Sequence, residues 1–174
     1  IFERIVRLKQ IRDRYESFEK NKIIQIMSQL RHHLINMDEI DKICKQINEH
    51  ERFIAYGSPT LLNLLFDFQV DMKIFDKTVL LSSVNNGKIL VPKNNDLIGL
   101  FTATGRLLGC CDAKFQEVVL DTKNTKILFS KSQINSEYID FSFSMDTDND
   151  YYEMHYVFLF LFDLIKTRYY ELYI

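Results

Sequence analysis

The sequence predicts an α+β domain: a long N-terminal helix, or a helical hairpin, packed on a curved antiparallel sheet of about six strands, with a short helix closing the chain. Three observations carry this expectation. Apolar residues recur at helical spacing through the first third, and neither Gly nor Pro interrupts residues 1–56. From Val70 onward the apolar runs shorten and are separated by polar turn signals. With only 5 Gly and 2 Pro in 174 residues, neither long linkers nor low-complexity tails are expected, and one domain accommodates the length.

Residues 1–56 read as a helical arm or cover. Ile1, Ile5, Leu8, Ile11, Tyr15 and Phe18 lie on one stripe; Ile23, Met27, Leu30, Leu34 and Met37 form a second at steps of four and three. The register shifts at 19–22, so the buried face rotates there or changes partner, from a neighbouring chain to the protein's own sheet. Asn36 or Asp38 is placed to cap a second helix with Ile40, Ile43, Cys44 and Ile47 inward. Gly57 ends the helical region. Ser58 and Pro59 then open a short helix within 57–69, Ser58 as cap and Pro59 at the first position.

The antiparallel sheet is expected over 70–162. Strands are read at 71–84 and 88–91 around the Asn86-Gly87 turn, at 97–102 and 106–111 around Thr104-Gly105, and at 115–120 and 126–130 around a polar loop. Residues 138–145 alternate, and 153–162 pair back with them after a turn at 146–150. Tight turns between consecutive strands make a meander, and the amphipathic helix of residues 23–50 covers its apolar face. Residues 163–174 form the terminal helix.

Composition limits the chemistry. A hydrophobic fraction of 47%, with 14 Phe and 9 Tyr, supplies a core without disulfides or metal. Net charge is −2, which excludes a whole-molecule field for nucleic acid, and none is expected as a partner. The charge is uneven: residues 1–34 hold 8 Lys/Arg and 4 Asp/Glu, while residues 135–174 hold 2 and 8. Cys44, Cys110 and Cys111 are odd in number and two are adjacent, so they read as small buried apolar residues in a reducing compartment. No run of 18 apolar residues exists.

No catalytic or metal motif stands out. Asp146, Asp148 and Asp150 open like a calcium loop, but Tyr151 replaces the turn glycine and Val157 the closing Glu, so a solvated turn is expected. His32, His33, His50 and His155 lack partners at metal spacing. There is no phosphate loop or serine elbow. No metal, no cofactor and no enzyme activity are expected; an enzyme using Cys110 or Cys111 is a minor alternative requiring a thiol of depressed pKa.

The run Asn95-Asp-Leu-Ile-Gly-Leu-Phe-Thr-Ala-Thr-Gly-Arg-Leu-Leu-Gly109 resembles the central hairpin of PAS-like sensor domains of the Cache type. The strand–turn–strand order over 138–162 and the long helix before the sheet resemble that layout too. The resemblance implies an extracytoplasmic ligand-sensing domain between two membrane helices, in which a small ligand shifts a homodimeric helical arrangement. Arg106, Tyr138 and Asp140, polar residues on or beside the expected strands, are the candidate ligand contacts. The competing reading is an intracellular assembly or scaffold subunit. Its coiled-coil arm would use Ile1, Ile5, Leu8, Ile11, Tyr15 and Phe18, and its sheet would dock a protein.

Overall fold

The computed structural model describes residues 36–84, 88–109, 112–144 and 151–174, with side chains in the last stretch from His155 on. The arm stripe Ile1, Ile5, Leu8, Ile11, Tyr15 and Phe18 lies outside the described residues. So do His32 and His33, the turn Asn86-Gly87, Cys110 and Cys111, and the acidic turn at 146–150.

Residues Asn36–Ile174 form one compact α/β unit. In chain order they build α1 (Met37–Glu49), β1 (Arg52–Gly57), α2 (Pro59–Asn63), α3 (Phe66–Ile74), β2 (Thr78–Ser83) and β3 (Asp96–Thr102). There follow α4 (Arg106–Gly109), α5 (Ala113–Phe115) running into a π-helical turn at Gln116–Leu120, β4 (Lys126–Ser130), β5 (Phe141–Ser144) and α6 (Tyr151–Tyr173). The strands lie in the order β2-β1-β3-β4-β5, and every pairing is parallel.

The expected antiparallel sheet of about six strands is therefore replaced by a five-stranded parallel one. Parallel neighbours need a crossover, not a tight turn. Three segments read as return strands are helical: 106–109 is α4, 115–120 continues α5, and 153–162 lies inside α6. Conversely, 52–57, read as the end of a helix, is the central strand β1. Asp112 explains one reversal, because its carboxylate caps α5 by accepting the Phe115 N–H at 2.7 Å. The other clue is burial on both faces: all seven residues of β3 and all five of β4 are buried, the continuous pattern of parallel strands.

Several local expectations hold. Ile40, Ile43, Cys44 and Ile47 form the buried face of α1. Ser58 Oγ accepts the Leu61 N–H at 3.4 Å, with Pro59 at the first position of α2.

Two layers cover the sheet. On one face, Phe53, Phe101 and Phe129 meet Phe68 of α3 and Phe158 and Phe162 of α6. Phe101 and Phe129 stack at 4.7 Å, and Phe162 lies 5.5 and 5.4 Å from them. Gly99 makes room there, since a Cβ would stand 2.5 Å from the Phe53 ring. The other face packs Ile54, Tyr56, Ile98 and Leu100 against Phe115, Val119 and Leu120. The β2–β3 connection, residues 88–95, crosses this face without a helix. Tyr56 Oη donates to Leu90 O at 2.7 Å, and the Leu90 N–H donates to Ser82 Oγ at 3.1 Å. At the amino ends of β1 and β3, which are register partners, Arg52 grips Asp96 with two bonds of 2.7 and 2.5 Å. Arg168 similarly ties α6 to Asp41 of α1, at 2.7 and 3.1 Å.

Candidate binding crevice at the strand carboxyl ends

The strand order reverses at β1. Its connection to β2 runs through α2 and α3 on one face, and the β3–β4 connection runs through α4 and α5 on the other. In open parallel sheets the two connections part at such a point and leave a crevice outside the carboxyl ends of the strands. Here those ends are Gly57-Ser58 after β1, Thr102-Ala103-Thr104-Gly105-Arg106 after β3, and Ser130-Lys131-Ser132 after β4.

The three loops are held close together. A Cβ at Gly57 would stand 3.0 Å from both Cβ and O of Phe101, so glycine lets the end of β1 press against β3. Gly105 turns the chain at φ +75, a left-handed conformation that side chains disfavour, and a Cβ there would meet Ile134 Cδ1 at 2.7 Å. The Lys131 N–H donates to Ala103 O at 3.4 Å, tying the β4 loop to the β3 loop. Ser130 Oγ is buried and donates to Ser132 O at 2.7 Å. Thr102 is buried, whereas Thr104 and Arg106 are exposed on the β3 loop. The loops thus offer short hydroxyl side chains, turns of backbone and one guanidinium, a set suited to polyol and phosphate oxygens.

The three residues expected to contact a ligand do not converge. Arg106 belongs to the carboxyl-end crevice. Tyr138 and Asp140 sit before β5, at the opposite end of the sheet, where they line a polar cleft of about 410 Å³ with Asp121, Asn124 and Lys126. Asp140 is engaged with the first residue of β4: Oδ2 accepts the Lys126 N–H at 2.8 Å, and its own N–H donates to Lys126 O at 3.1 Å. Tyr138 Oη accepts from Gln116 Nε2 at 3.3 Å. The Lys126 ammonium is buried and donates to the carbonyls of Thr122 and Asn124 at 2.5 and 2.9 Å; burial holds its pKa below the usual lysine range.

Ser58, Thr102 and Thr104 were not singled out by sequence reasoning. Their signal is a repeated one: an apolar run ends in small polar residues and Gly, and a helix starts at once. It occurs at Phe53–Ser58 and again at Leu97–Arg106. A Thr-Gly pair reads equally as a hairpin turn, which hid the second instance.

No protein-family model and no curated protein matches the sequence. Solved structures do match. A protein of Methanococcus jannaschii, whose structure infers a 3-hexulose-6-phosphate isomerase function, superposes with a TM-score of 0.70 at 14% identity, covering 88% of this chain and 89% of that one. An Escherichia coli CFT073 protein in complex with a small sugar-phosphate ligand gives 0.71 at 12% identity, covering 91% and 90%. The Vibrio vulnificus NanR protein complexed with ManNAc-6P gives 0.69 at 11% identity, covering 97% of this chain and 66% of NanR. The chain has the SIS fold, a Rossmann-like α/β arrangement.

This fold replaces the PAS-like, Cache-type resemblance: residues 95–109 are not a hairpin but a parallel strand, a glycine turn and the start of a crossover. The extracytoplasmic sensor and the coiled-coil scaffold fall with the sheet topology on which both rested. What survives of the expected partners is the coarser statement, a small-molecule ligand, which the E. coli and V. vulnificus neighbours each hold.

Proposed function

We propose that this chain binds a phosphorylated sugar in the crevice at the carboxyl ends of β1, β3 and β4, and releases it unchanged. The observation that carries the reading is the pair of hydroxyl-bearing glycine turns, Gly57-Ser58 and Thr102 to Arg106, meeting where the strand order reverses. In this reading Arg106 takes the phosphate, and Ser58, Thr104 and Ser132 meet sugar or phosphate oxygens. Tyr138 and Asp140 stand outside this site.

The reaction class is argued from the same loops. Isomerising a sugar phosphate moves a proton between neighbouring carbons and needs a positioned base, usually a carboxylate or imidazole. Among the described residues 57–60, 102–106 and 130–133 there is no Asp, Glu or His. The competing reading, an isomerase, is favoured by the function inferred for the M. jannaschii neighbour.

Titration calorimetry with ManNAc-6P, with a pentose phosphate and with the corresponding unphosphorylated sugars tests binding, and proton NMR of the same mixtures tests turnover. A charge-assisted hydrogen bond contributes about 1.5–3 kcal/mol, so Arg106→Ala should weaken phosphosugar affinity about tenfold to a hundredfold. Thr104→Ala should weaken it less. Equal affinity for phosphorylated and unphosphorylated sugars, or indifference to Arg106→Ala, refutes the site. Conversion of the sugar refutes the claim of release unchanged.

A further inference from the structure

Helix α3 is apolar on two sides. Phe68 and Met72 are buried beneath it, while Phe66, Val70 and Ile74, spaced by four, are 60%, 51% and 77% exposed. A helix with apolar residues on both sides is ordinarily buried on both. The neighbouring helix continues the surface. Phe68 packs on Phe162 and Asp71 bonds to Lys166, so α3 and α6 lie side by side, and α6 turns Leu159 and Phe160 outward, each 42% exposed. Between the helices runs a groove of about 570 Å³ walled by Phe66, Val70 and Leu159. No helix among the described residues is long and apolar enough to cross a membrane.

We infer that the α3/α6 face is an isologous interface on which a second copy of this chain docks about a two-fold axis. Area supports this occupant. With a whole aromatic side chain presenting about 150–250 Å², these partly exposed residues together offer about 600 Å² of apolar surface. That lies at the upper end of the about 300–600 Å² patch that monomers tolerate, and near the about 800 Å² per partner of a standard interface. One face supplied by each copy makes a complete interface by itself, which is how a two-fold contact is built.

Charge points the same way. Lys166 at the groove edge is bonded to both Asp71 and Asp163, at 2.9 and 2.8 Å. Asp67 and Lys73, of opposite sign, are exposed on α3. A mixed-sign rim around an apolar centre suits a copy of itself, whereas nucleic acid or an anionic bilayer calls for an excess of cations.

Sedimentation velocity over a concentration series tests the assembly. The intact chain should run at the dimer mass. Val70→Lys and Leu159→Lys, on different helices, should each weaken the dimer at least about tenfold, because a charge buried at the centre of an interface lacks a partner. Both replaced side chains are already half exposed, and circular dichroism reports whether each variant keeps its helix content. Hydrogen exchange on the unmodified chain gives a readout without substitution: amides of α3 and α6 should be more protected at high concentration than at low. A monomer at every concentration overturns the inference. So does a dimer that both folded variants leave intact, concentration-independent exchange in α3 and α6, or an apolar face that binds lipid vesicles while the chain stays monomeric.

Discussion

The bond between Arg52 and Asp96 joins the first residues of β1 and β3, the two strands whose other ends form the proposed crevice. Its two halves sit in different solvent: the Asp96 side chain is 2% exposed and that of Arg52 is 20% exposed. The consequence is an asymmetry between the two deletions. Arg52→Ala leaves a buried carboxylate whose remaining side-chain partner is the Lys93 N–H at 2.6 Å. Breaking a buried pair in this way costs about 3–5 kcal/mol. Asp96→Ala leaves a guanidinium that already reaches water, so its cost should fall nearer about 2 kcal/mol, most of it from the unpaired Lys93 N–H and the lost bonds. At about 2–4 °C per kcal/mol for a chain of this size, Arg52→Ala should lower the melting temperature by about 10 °C and Asp96→Ala by roughly half that. Urea unfolding followed by circular dichroism gives both free energies. If Asp96→Ala proves the more costly, or if neither exceeds about 1 kcal/mol, the burial argument fails. The pair also sets an acid limit. Burial pushes the Asp96 carboxyl up, but Arg52 and the Lys93 N–H outweigh it and hold the group below its ordinary 3.8. A carboxyl lowered by folding contributes stability that is present above the unfolded value and is lost as pH falls through the lower, folded one. Asp96→Asn, which does not titrate, should therefore show a flatter stability profile below pH 3.8 than the unmodified chain.

Gly105→Ala forces a side chain into left-handed backbone and against Ile134. It should cost about 1–3 kcal/mol and weaken phosphosugar binding by reshaping the β3 loop, read by thermal melting and calorimetry. Gly99→Ala places a Cβ in the Phe53 ring and should cost about 1–3 kcal/mol of stability, seen in the urea midpoint, with the ligand site left in place. Cys44 is fully buried, and burial, with Asp41 nearby, pushes its thiol up to about 12. Mass spectrometry after alkylation near neutral pH should find Cys44 unmodified until the fold opens.

Local chemistry was the legible part of this sequence. The inner face of α1, the Ser58 cap with Pro59, and the strands at 97–102 and 126–130 all follow from spacing and capping that neighbouring residues decide. Strand direction was not legible, because it depends on what joins the strands. At 116–120 the residues Val118, Val119 and Leu120 favour a strand by propensity, but the Asp112 cap and packing against Tyr56 turn them into helix. The run 156–162 is apolar at every position and has no strand or helix signature by itself. Its period emerges only when Ile165 and Tyr169 extend the buried set Val157, Phe158, Leu161 and Phe162. The candidate site was half legible for the same reason. Arg106 was found as a polar residue after a strand, whereas its grouping with Ser58 requires knowing that β1 and β3 are parallel neighbours. Tyr138 and Asp140 were grouped with it on a hairpin the fold does not contain.

The aromatic stack between sheet and helices has a kinetic meaning. Phe101 and Phe129 come from strands made in mid-chain, yet the rings that shield them, Phe158 and Phe162, belong to α6, the last described element. A nascent chain must therefore hold a parallel sheet, itself slow to pair because every contact spans a crossover, with a greasy side facing water until α6 arrives. During synthesis that interval is where a chaperone would be needed, and a slow refolding phase that gains α6 protection last is its expected signature.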